Sequence, residues 1–160
     1  MKDFANVYIN IHADEKYHDL DDLGKLVFLT ILTHPCLTSI GTITRSIEEF
    51  ILGLGPDCEP ERFQAKVASF NKLVELGMVE YDSAGLIALP NYLEYNPPSS
   101  PMTEKELQKL FNALPDCELK NHVIARYNEK ETELFSFWDD VTFMDIVSAF
   151  SETVGDRGDE

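Results

Sequence analysis

Glycine and proline cut this chain into short pieces, and that punctuation limits its folds more than any other feature. His34-Pro35 closes one apolar run, "GLGPDCEP" (53–60) closes a second and Gly77 a third. "DSAG" (82–85) separates two strand-like runs, and Asn96-Pro97-Pro98 and Pro115 interrupt the C-terminal part of the chain. Proline removes a backbone donor and fixes φ, while glycine takes the left-handed conformation that ends helices, so helices stop at these points. No apolar stretch approaches the roughly 18 residues of a membrane span. The opening "MKDFANVYIN" is polar where a signal peptide needs an apolar run.

Between the breaks, hydrophobic periodicity assigns the elements. "VYINI" (7–11), β-branched and aromatic, reads as a short leading strand. "LGKLVFLTIL" places Leu23, Val27, Phe28, Ile31 and Leu32 on one stripe of a first helix, with Asp21 and Asp22 at its positive end. "CLTSIGTITRS" favours a short extended piece. Ser46 and Glu49 have capping-box spacing for a second helix carrying Ile47, Phe50, Ile51 and Leu52. A third starts near Pro60, a residue suited to a first turn, and runs through Phe63, Val67, Phe70, Leu73 and Val74 to Gly77. "MVEY" and "LIAL" then form a hairpin, with Gly85 at the position that needs a left-handed residue.

Regular structure should stop at Tyr95, because the Asn96-Pro97-Pro98 run forces an extended path. It resumes after Thr103, whose spacing to Glu106 again suits a capping box, with Leu107, Leu110, Phe111 and Leu114 facing inward. A further helix carries Leu119, Val123, Ile124 and Tyr127. The aromatic run "ELFSFWDDVTFMDIVSAFSETV" comes next, and "GDRGDE" ends the chain as a disordered tail. The fold class is mainly α with a small β-hairpin: a winged helix-turn-helix over 1–96, a helical C-terminal extension over 97–154 and the tail over 155–160.

The pieces "HADEKYHDLDDLGKLVFLTILTHP", "SIGTI", "LVELGMVEYDSAGLIALPNYLEYNPP" and "LFNALPDCEL" occur in the same order as in a known family. Over roughly residues 5–122 they resemble the N-terminal winged-helix domain of phage and prophage replication-initiation (replisome-organiser) proteins, including the DnaD-like group. The hairpin, the "PNYLEYNPP" exit and "LPDC" carry most of that likeness. The resemblance implies a module that binds origin DNA and works with replication proteins.

The chain's formal net charge of -16 is shared equally, with -8 in residues 1–100 and -8 in 101–160. Such a field repels nucleic acid at long range, although screening within about 8 Å leaves room for a local basic patch. A winged helix that reads DNA inserts its third helix in the major groove and holds phosphates with nearby cations. The residues placed for this are Arg62, Gln64, Lys66, Ser69 and Lys72, with Arg45 at the entrance to the second helix. Glu59, Glu61 and Glu75 share the helix, so a solvated face of mixed charge is the alternative, and the tip residues Asp82 and Ser83 offer no cation. The competing function is an acidic protein-interaction module, a winged helix that docks on a basic partner and imitates DNA charge.

Other chemistry has little to stand on. His12 and His18 flank Asp14 and Glu15 without metal-ligand spacing, and His34 and His122 stand apart, so no metal is expected. Cys36, Cys58 and Cys117 show no CxxC spacing and cannot all pair within the chain, which suits a reducing, cytoplasmic setting. No phosphate-cradling loop, nucleophile elbow or HExxH is present, and neither catalysis nor a cofactor is expected. Phe135, Trp138, Phe143 and Phe150, with their apolar neighbours, exceed what one helix face hides. They either pack back on the winged domain or form a homodimer or partner interface.

Overall fold

The computed structural model describes residues 9–54, 59–98 and 100–133. The chain divides into two compact units, Met1–Ala125 and Arg126–Glu160. The first begins with a 3-10 turn, Ile9–Ala13, followed by α1 (Glu15–His18) and α2 (Asp22–Leu32). Next come β1 (Thr42–Thr44), α3 (Ile47–Leu52), α4 (Pro60–Glu75), β2 (Glu80–Asp82) and β3 (Leu86–Ala88). α5 (Tyr92–Tyr95) and α6 (Glu104–Asn112) close the order, and residues 118–133 are helical. The protein is mainly helical with a small three-stranded antiparallel sheet, compatible with a winged helix.

Local hydrogen bonding explains where the helices begin. Asp21 Oδ1 accepts from the Gly24 N–H at 2.7 Å and caps α2. At α3, Ser46 Oγ accepts from the Glu49 N–H at 3.1 Å, and Glu49 accepts in return from the Ser46 N–H at 3.3 Å. Thr103 and Glu106 repeat that capping box at α6. Each exchange satisfies two amide donors that the first helical turn leaves orphaned. α4 ends where Gly77 takes φ +71°.

β3 is the central strand, in the order β1-β3-β2. Thr42, Ile43 and Thr44 face Ala88, Ile87 and Leu86 on one side, while Glu80, Tyr81 and Asp82 face the same three residues on the other. All three β3 residues are buried, which fits an apolar strand paired on both edges. The β2–β3 turn closes with the Gly85 N–H donating to the Asp82 carbonyl at 2.9 Å and Gly85 at φ +92°. The expected extended piece before the second helix is thus a third strand of the hairpin's own sheet.

The core joins α2, α3, α4 and the sheet through Val27, Ile31, Ile43, Phe50, Phe70, Leu73, Val79 and Ile87. An aromatic chain runs through it. The Phe50 and Phe70 rings lie 5.9 Å apart, and the Phe70 and Tyr81 rings meet edge-to-face at 5.8 Å, linking α3, α4 and β2. Gly41 (φ +76°) allows the backbone before β1 to pass against Tyr92, where its carbonyl accepts from the Leu89 N–H at 2.9 Å.

Two expectations are corrected. Ile9–Ile11 belongs to a 3-10 turn rather than a strand, with the Asp14 N–H bonded to the Ile11 carbonyl at 3.2 Å. Val7 and Tyr8 lie outside the described residues. On α6, Leu107, Leu110 and Phe111 are half-buried while Glu104, Lys105, Gln108 and Lys109 are exposed, so the apolar face is the covered one. The stretch 97–125 falls within the first unit rather than in a separate extension: Leu114, Leu119 and Val123 are buried, and Ser39 Oγ lies 3.8 Å from Met102 Sδ. Phe135, Trp138, Phe143, Phe150 and the tail 155–160 lie outside the described residues.

Candidate functional site

α4 turns about 100° per residue, so its burial pattern fixes which way each side chain points. Ser69, Phe70 and Leu73 are its buried residues, and they set the direction of the core. The opposite face carries Glu61, Gln64, Ala65, Ala68, Lys72 and Glu75, all exposed. Lys72 is its one cation, and its Nζ lies 3.7 Å from Glu75 Oε2.

The other expected contacts therefore separate. Ser69, expected to face solvent, is only 8% exposed, because it stands one residue from Phe70 and four from Leu73 on the core side. Lys66 is half-buried beside the same stripe. Arg62 is exposed near the start of α4, seven residues before Ser69 and so on the same side of the helix as the buried stripe, and Gln64 is the expected polar residue that does lie on the outer face. Val74, assigned to the core from periodicity, is 36% exposed, and Leu52 is also exposed.

Arg45 stands exposed between β1 and α3. Its Nη2 approaches Cys36 Sγ at 3.5 Å, and that bond raises the guanidinium above its already high value. The Arg45 backbone runs close to the β2–β3 turn: a Cβ on Gly85 would lie 3.6 Å from the Arg45 carbonyl carbon. His34 sits behind it, its ring 5.5 Å from Phe50 and its Nδ1 accepting the Cys36 N–H at 3.0 Å. Burial, and then the charge of Arg45, lower the His34 pKa below its ordinary value. Sequence reasoning missed this cluster, because residues 34, 36, 45 and 50 are joined only when α2 and α3 pack around β1.

The hairpin adds no cation. β2 bears Glu80 and Asp82, and Asp82 Oδ1 accepts the Ala84 N–H at 2.9 Å, which pins the turn. Across the described residues of 45–82, Glu48, Glu49, Glu59, Glu61, Glu75, Glu80 and Asp82 stand against Arg45, Arg62, Lys66 and Lys72. Along this stretch the described charges are net acidic.

No cluster of His, Cys, Asp and Glu among the described residues is placed to hold a metal ion. Among the described residues, no helix is long and apolar enough to cross a membrane. Comparisons with family models, with curated proteins and with solved structures found no match for this chain.

Proposed function

We propose that this chain is a non-enzymatic winged-helix binding module whose α4 face and β2–β3 hairpin dock a basic protein partner. The order helix, strand, helix, helix, hairpin, with the hairpin and β1 in one sheet, supports the winged-helix assignment. The observation that carries the choice of partner is the outer face of α4. Its single lysine is ion-paired with Glu75 at 3.7 Å, Glu61 shares the face, and the adjoining strand adds Glu80 and Asp82. DNA affinity comes mainly from neutralised phosphates, and this face supplies more negative charge than positive. A basic partner meets the complementary potential, which speeds encounter and sets orientation. The resemblance to replisome-organiser proteins supplies the expectation that the partner belongs to a replication assembly.

DNA binding is the second reading, and the exposure of Arg45, Arg62 and Lys72 favours it. Fluorescence anisotropy separates the two. The protein is titrated against labelled duplex DNA and against a labelled Lys/Arg-rich helical peptide, first at low and then at physiological salt. The expected result is no binding of DNA and salt-sensitive binding of the peptide. That binding should be lost in Glu61→Lys/Glu75→Lys and kept in Glu104→Lys/Glu118→Lys, which changes net charge equally at other exposed positions. Salt-dependent DNA binding that disappears in Arg62→Ala/Lys72→Ala would replace the proposal with the DNA reading.

A further inference from the structure

We draw no further inference here: the strongest candidate, the half-open apolar cleft of about 460 Å³ bordered by the Ile9–Ala13 turn, α1, α2, the Gly77-Met78 turn and α5, carries nothing, because nothing in the structure shows what covers it.

Discussion

Alanine at Gly41 and alanine at Gly77 impose the same backbone strain with very different surroundings, which makes the pair a direct measure of how tightly the sheet and α5 are packed. Gly41 has φ +76° and Gly77 φ +71°, so either substitution forces a left-handed alanine, worth roughly 1–2 kcal/mol. At Gly77 nothing lies within 4 Å of the new methyl, and the strain is the whole effect. At Gly41 the methyl would fall 2.5 Å from Tyr92 Cβ, 2.7 Å from Cγ and 2.9 Å from Cδ1. Carbon atoms pack best at about 3.5–4.0 Å, so the overlap is on the order of 1 Å. Tyr92 is only 4% exposed and cannot swing freely aside. Overpacking of this kind costs roughly 1–3 kcal/mol, so Gly41→Ala should lose about 2–5 kcal/mol in all. Urea unfolding followed by far-UV circular dichroism measures both variants, and Tyr92→Gly in the Gly41→Ala background, which removes the Cβ as well as the ring, should show favourable coupling. Equal destabilisation at the two glycines, or no coupling to Tyr92, would refute the close approach.

Acid should weaken the fold through His34, whose Nδ1 must be unprotonated to accept the Cys36 N–H. Its pKa is lowered on folding, so the unfolded chain binds the proton more readily; the associated stability is complete above 6.5 and is lost as pH falls through the folded value. Urea midpoints measured across that window should fall less steeply in His34→Leu than in the parent. Ser46→Ala removes the cap of α3 and should cost about 1 kcal/mol, read from the same unfolding curves. Ser69→Arg forces a charge into a position only 8% exposed and should cost more than about 2 kcal/mol, whereas Gln64→Arg on the outer face should change stability by less than about 0.5 kcal/mol. If both arginines are tolerated equally, the assigned rotation of α4 is wrong.

Features whose partners lie within a few residues were legible in the sequence alone. The capping boxes at Ser46–Glu49 and Thr103–Glu106, the stop at Gly77 and the turn at Gly85 are all present, because each is a local hydrogen bond or a local φ requirement. Tertiary packing decided what periodicity leaves open. A helix as polar as α4 allows several choices of inward face, and only contact with α2 and α3 fixed the direction that buries Ser69, leaves Lys66 half-covered and exposes Val74. β1 joined β3, and Ile9–Ile11 did not become a strand, because ladder bonds depend on residues far along the chain. The cleft between Tyr17 and Tyr95 and the cluster of His34, Cys36 and Arg45 exist for the same reason: their members are brought together only when separate elements close around one core.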